Sequence, residues 1–209
     1  MILSHPHYDH FVGLISVIQR YNLTSFASEK LGNPVAAFQE FENTLTHKLL
    51  KPTYLYKGDT FKIGKEVVIN ILSPTKESLE RTSPNAKITD SKEFTNLVSE
   101  LKYKEVSFLF TGDSQAMFLE DAIKNTGFGK ILVLQSPHHG SRFGLTESIL
   151  NTLNPGLAYI SVGKNTYGHP APSTIKLLQD KNLQPLRTDR NGSIEFITDG
   201  KTLSYKTER

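Results

Sequence analysis

Ser4-His5-Pro6-His7-Tyr8-Asp9-His10 places three imidazoles, a carboxylate and a phenol within one short stretch at the start of the chain. Alternate side chains of an extended segment point the same way, so the spacing predicts His5, His7 and Asp9 on one face. His10 can swing towards them once the chain enters a helix. Imidazole nitrogen and carboxylate oxygen are the ligands zinc-like ions take, and two neighbouring metals need about this ligand density. A solvated, His-rich terminus or tag remnant is the plain alternative. Tags, however, repeat His without an Asp and without an apolar run on each side.

Two further stretches offer compatible chemistry. Val106-Ser107-Phe108-Leu109-Phe110 runs into Thr111-Gly112-Asp113. A carboxylate there either lines the ligand-bearing edge of a sheet or N-caps a helix over 114–124. Ile131 to Leu134 runs into Gln135-Ser136-Pro137-His138-His139-Gly140-Ser141. Adjacent histidines cannot face one point unless the backbone turns, and Gly140 permits that turn. One would then bind metal and the other face substrate or an outer acid; we assign His139 to the metal and His138 to the substrate side. His169, in the loop 163–170, could bind phosphate or donate a proton, or simply pack in a Pro-bounded loop. Lys164, Asn165 and Arg142 could touch phosphate oxygens or be plain surface. His47 has no acid or histidine beside it and reads as a surface residue. Asp59, Asp90 and Glu93 read as solvated carboxylates.

The pattern His-x-His-x-Asp-His resembles the signature of the metallo-β-lactamase fold. "ILSHPHYDHFVGL", "FLFTGD", "SPHHGS" and the closing "SVG-N-YGHP" block most resemble the hydrolase domain of ComEC-type DNA-uptake proteins and their stand-alone relatives. The resemblance implies an α/β fold of the αββα sandwich type, two mixed sheets face to face with helices outside, lacking its opening N-terminal strands. It implies one domain over 1–209, truncated at the start. It also implies two divalent ions, Zn2+ or Mn2+: His5 and His7 on one, Asp9, His10 and His139 on the other, with Asp113 bridging. Asp9, His138 and His169 would be the catalytic groups, and Ser141, Asn165 and Lys164 would contact substrate. Asn96 and Ser99 stand where many members carry another histidine, which leaves the ligand set short.

The implied function is metal-dependent hydrolysis, as a phosphodiesterase or nuclease acting on DNA or a small phosphodiester. A lactonase or other esterase, and a non-catalytic DNA-binding module, are the alternatives. The expected location is cytoplasmic for a stand-alone protein and extracytoplasmic for a piece of a ComEC-type membrane protein.

Composition narrows these readings without choosing among them. The absence of cysteine removes disulfides, four-cysteine zinc sites and thiol catalysis. No apolar run approaches the ~18 residues a membrane helix needs. A net charge of +3 is mild, with no concentrated Lys/Arg stripe and no aromatic ladder of the kind single-strand binders use. The elements that must position the chemistry follow from periodicity. Helices are predicted over 11–21, over 34–50 with Val35, Phe38, Phe41, Leu45 and Leu49 on one stripe, over 114–124 and over 172–181. Strands are predicted on either side of Gly64, over 96–103 and 106–110, at 131–134 and 157–162, with a closing hairpin at 194–197 and 203–205. Residues 75–95 are polar and read as a long loop.

Overall fold

A computed structural model describes residues 1–83, 85–88 and 96–209. Its strands form a three-stranded parallel sheet, a seven-stranded mixed sheet and a two-stranded hairpin. The first sheet has β1 (Ile2–Leu3), β2 (Phe26–Ser28) and β3 (Pro52–Tyr54) side by side. The second contains β4 (Thr60–Ile63), β5 (Val67–Ser73), β6 (Val98–Tyr103), β7 (Val106–Phe110), β8 (Ile131–Gln135), β9 (Leu157–Ile160) and β10 (Leu186–Arg187). Their spatial order runs β10-β9-β8-β7-β6-β5-β4. The β4 to β7 pairings are antiparallel and those from β7 to β10 parallel.

Helices α1 (Tyr8–Arg20) and α2 (Ala36–His47) carry the first sheet's outer layer. Their apolar stripes interlock through Phe11, Ile15, Ile18, Phe38, Phe41 and Leu45, together with Phe26 from β2. The Phe11 ring meets those of Phe38 and Phe41 at 5.1 and 5.8 Å between centroids. Each such burial stabilises the fold by roughly 1.5–3 kcal/mol, which anchors the first turn of α1 and whatever side chains it carries. On the far side, α4 (Ala116–Ile123), α5 (Glu147–Leu153) and α6 (Pro172–Asp180) cover the second sheet, with Leu109, Leu119, Leu132, Leu134, Ile149 and Leu178 among the residues packed there. A smaller cluster of Leu55, Ile69, Ile71 and Leu97 lies between the sheets, with Ile2, Ala27 and Leu101 against it. The layers are therefore helix, sheet, sheet, helix.

The closing hairpin of β11 (Ile194–Thr198) and β12 (Leu203–Thr207) sits on the second sheet. Phe196 packs on Phe108 at 5.7 Å and on Tyr159 at 5.6 Å. Since Phe108 pairs directly with Leu101, the hairpin lies on the same face as the inter-sheet cluster.

Several expectations need correction. Helix α1 begins at Tyr8, with His7 as its extended N-cap, so Asp9 and His10 occupy a first helical turn instead of continuing an extended run. Helix α2 ends at His47, and Leu49 at φ 57° is exposed, not part of the stripe. Pro52 opens the edge strand β3 instead of merely breaking a helix; an edge position needs no donor from that nitrogen. Within the span read as a loop, α3 (Lys76–Thr82) forms, because the Thr75 and Ser78 hydroxyls make a reciprocal capping box and Leu79 is buried. Asp90 and Glu93 lie outside the described residues. Two short elements, β10 and α7 (Thr188–Asn191), together with α5, carry too little periodicity to be read from the sequence.

Candidate metal centre

Three chain segments converge at one rim of the sandwich, and each has a local reason for its shape. Strand β1 delivers Ser4 and His5; the Ser4 carbonyl accepts from the Leu97 amide at 2.9 Å, and the Pro6 carbonyl from Asn33 Nδ2 at 2.8 Å. The helical start then carries Asp9 and His10, with the His10 amide donating to the His7 carbonyl. The second segment leaves β7. Thr111 is pinned to Gln135 through its amide and its hydroxyl. Gly112 turns at φ 51°, where an added Cβ would strike the Asn96 side-chain amide and approach Ser4 Cβ to 3.2 Å. Asn96 braces this turn: its Nδ2 donates to the Thr111 carbonyl and its Oδ1 accepts from the Ser114 amide, both at 2.9 Å. The position where a further histidine was missed therefore supports the Asp113 loop.

The third segment leaves β8, parallel to β7. His138, His139 and Gly140 all take left-handed backbone, at φ 49°, 53° and 82°. For an L-residue that region costs roughly 1–2 kcal/mol, a strain held in place by the His138 amide donating to the Gly112 carbonyl at 3.0 Å and the Ser141 amide donating to that of His138 at 2.8 Å. The predicted turn at Gly140 thus begins two residues earlier.

At the convergence Asp113 is buried and its carboxylate faces two ways. Oδ2 lies 3.6 Å from His5 Nε2 and 3.6 Å from His138 Nε2. Oδ1 lies 3.3 Å from His10 Nε2 and 3.7 Å from His139 Nε2. Asp9 closes the second side, 3.2 Å from His139 Nε2 and 3.6 Å from His10 Nε2. On the first side His7 Nδ1 is 3.1 Å from His5 Nε2. Asp113 caps no helix: the N-cap of α4 is Gln115.

The electrostatics follow from this crowding. Burial holds the His5 imidazole down at about 4, and burial likewise lowers His7. Burial also works to raise Asp113, but the imidazoles of His10 and His5 beside it outweigh that and hold the carboxyl well below its ordinary range. Asp9 is held near 2, chiefly by its polar contact with His139, and the same contact raises His139 to about 9. His139 Nδ1 donates to the Ser161 carbonyl at 2.8 Å, which orients Nε2 towards the two carboxylates. Ser161 was not singled out in the sequence; its only signal is that it follows a strand parallel to β8.

Two sets of donor atoms lie close enough to share an ion, His5–His10–Asp113 and Asp9–His10–His139. The buried Nε2 atoms of His10 and His139 have no well-aligned hydrogen-bond partner among the described residues. Nitrogen and carboxylate donors converging with such atoms left over are what divalent cations require, and the residues fit two of them. A cavity of about 220 Å³ opens here, lined by Asp9, His10, Asp113 and His139 among others.

The remaining expected site residues sit around this centre. The His169 ring is 5.3 Å from that of His138, and burial lowers its pKa, with the nearby histidines adding to the effect. Ser141 is buried, its carbonyl accepting from Thr174 Oγ1, so it belongs to the frame of the turn. The Asn165 amide is occupied within its own loop: Nδ2 donates to the carbonyls of Gly163 and His169, and Oδ1 accepts from the amides of Tyr167 and His169. Lys164 is exposed. His47 is exposed on α2 and apart from the cluster.

A layered αββα sandwich with this His–Asp constellation at one rim defines a class, and the chain belongs to the metallo-beta-lactamase superfamily, whose family model matches residues 1–164. Among curated proteins it is 28% identical over 204 residues to ComE operon protein 3 of Bacillus subtilis (strain 168). That match covers 94% of this chain and 24% of the relative, so the chain spans about a quarter of that protein's length. Among solved structures, CmlA, a diiron β-hydroxylase from Streptomyces venezuelae, superposes with a TM-score of 0.55 at 14% identity, over 90% of this chain and 43% of CmlA. A mutant of the same enzyme gives 0.54 at 14% identity, over 89% and 42%. These structural likenesses concern the fold. Among the described residues no helix is long and apolar enough to cross a membrane.

Proposed function

We propose that this chain is a metal-dependent phosphodiesterase of the superfamily, acting on DNA or a related phosphodiester. The observation that carries the reading is the two-sided carboxylate of Asp113, with His5 and His138 off one oxygen and His10 and His139 off the other. One cation would be held by His5, His7 and Asp113, and the other by Asp9, His10, His139 and Asp113. Such a pair lowers the pKa of a shared water and neutralises charge on the attacked phosphorus and the leaving oxygen.

The chain's own groups supply orientation and proton control. Asp9, ionised far below neutral pH, would orient the nucleophilic water as well as help hold a cation. His138 lies on the Oδ2 side and is part-exposed, which leaves it to face substrate. His169 behind it carries a lowered pKa, so it enters neutral and serves as a hydrogen-bond partner to a phosphoryl oxygen or the leaving group. Nucleic acid as substrate is supported by the resemblance to ComEC-type proteins and by the match to ComE operon protein 3.

The test is elemental analysis of the purified chain together with turnover of a chromogenic diester, a single-stranded oligonucleotide and a lactone. The expected result is about two ions per chain and diester turnover that chelation abolishes. His5→Ala and Asp113→Ala should each lose metal and turnover with the circular dichroism spectrum retained, while His47→Ala changes neither. Two bound ions with lactone turnover and none on either diester would overturn the phosphodiesterase reading. Full metal stoichiometry in either alanine variant would overturn the ligand assignment.

A further inference from the structure

Tyr167 stands at the outer end of a row of rings that leads into the centre. It is 85% exposed, more open than any other aromatic residue among those described. Its ring lies nearly parallel to that of His169, 6.3 Å between centroids and 24° between planes. His169 in turn lies 5.3 Å from His138, and His138 Nε2 is 3.6 Å from Asp113. One face of Tyr167 is thus backed by an imidazole and the ring stands open to water.

The backbone beneath it is fixed. Asn165 binds four groups of the loop, one of them the Tyr167 amide itself. Beyond the loop, the Ala171 amide donates to the Gly140 carbonyl at 2.9 Å, joining it to the His138–His139 turn. A large ring held open on a rigid support gains nothing for the fold from burial, yet it offers a ligand stacking area with little ordering left to do. The loop 163–170 carries Lys164 and no acidic residue, and Arg142 is exposed beside the turn, so an anionic ligand meets no repulsion there.

We infer that Tyr167 is a base-stacking platform: it holds a nucleobase adjacent to the phosphodiester that lies at Asp113, and so favours nucleic-acid strands over simple diesters. Tyr167 stands two ring contacts from His138, 6.3 and 5.3 Å between centroids, and a ring stacks on any base, so the subsite selects for the presence of a base and not for its identity. This rests on the phosphodiesterase reading above and adds a ligand contact to it.

The experiment uses the metal-loaded protein with Tyr167→Ala and Tyr167→Phe. Two single-stranded oligonucleotides of equal length and charge serve as probes, one with bases and one abasic across the same positions. Turnover is read as KM and kcat. Binding is read by fluorescence anisotropy, using phosphorothioate linkages to slow cleavage. For the base-bearing strand, Tyr167→Ala should bind about ten-fold more weakly and raise KM to match, with kcat little changed. For the abasic strand it should change binding less than about two-fold, and Tyr167→Phe should behave as wild type on both. Ten-fold corresponds to about 1.4 kcal/mol, within the range for one stacked base. Equal losses on both strands, or no loss on either, would overturn the platform. If no diester is turned over while anisotropy still shows base-dependent loss in Tyr167→Ala, the phosphodiesterase reading falls and the stacking subsite stands.

Discussion

Replacing Gly140 by alanine tests whether the strained His138–His139 turn and the loop 163–170 form one rigid unit. Gly140 sits at φ 82°, and an added Cβ would lie 2.6 Å from Pro170 Cβ, 3.1 Å from Pro170 Cα and 3.3 Å from Ile160 Cγ2. The left-handed backbone alone costs an L-residue about 1–2 kcal/mol. Relieving the contact adds about 1–3 kcal/mol, because overpacking forces shifts in what surrounds it. Pro170 is no flexible tip that can swing aside: the next residue is tied back to the Gly140 carbonyl, and Thr174 is tied to the Ser141 carbonyl at 3.1 Å. Gly140→Ala should therefore lose about 2–5 kcal/mol in urea unfolding of the chelated protein. The shift should also move His139, so the second metal should bind more weakly while the first is kept. A loss below about 1 kcal/mol with both metals retained would show that the turn and the loop move independently.

Other consequences follow from the charges and the loop. In the metal-free chain, the His139 pKa of about 9 lies above its unfolded value near 6.5. Its contribution to stability is fully present below pH 6.5 and is lost as pH rises through 9; the partner Asp9 is largely exposed, so the gain is about 1 kcal/mol after screening. His5, held near 4, acts oppositely, withdrawing stability as pH falls from 6.5 to 4. Thermal melts of chelated protein should thus crest near pH 6.5, and His139→Ala should flatten the alkaline limb; an unchanged limb would refute the pairing. Glu29 is fully buried, neither carboxyl oxygen has a hydrogen-bond partner among the described residues, and burial raises its pKa well above the usual value. Its cost grows as pH rises above the ordinary carboxyl range, so Glu29→Met should stabilise the chain by about 1–3 kcal/mol at about pH 8 and by less at about pH 5. A destabilised variant would show that the carboxylate has a use. Asn165→Ala removes the loop's internal bonds and should raise KM for oligonucleotides several-fold with metal content intact; simultaneous loss of metal would place Asn165 in the support of the centre itself.

What the sequence made legible was residue type at short range, and this was enough wherever type alone decides the matter. His5, His7 and His10 needed only their spacing, and the buried stripes of α1 and α2 needed only period. Asp113 was different: a carboxylate after Gly at a strand end suits both a helix cap and a ligand site, and only the approach of His5 and His10 from the first segment separates them. The helix α3 was hidden because a single buried residue, Leu79, carries its apolar face while side-chain hydroxyls hold its first turn. Asn165 and Ser141 read as available polar groups because the sequence reports a donor or acceptor but not whether neighbouring backbone has already taken it. Asn96 was read as a missing ligand for the same reason, yet it holds the turn that aims Asp113. A row of rings built across segments is likewise invisible in sequence: Tyr167 and His169 are near neighbours in the chain, but the His138 that continues the row comes from another segment. A polar or aromatic side chain is free for a ligand only after the fold has taken its own share, and that share is set by contacts between distant segments. At this rim, among the described residues, the Nε2 atoms of His10 and His139 and the open ring of Tyr167 are groups that the fold leaves over.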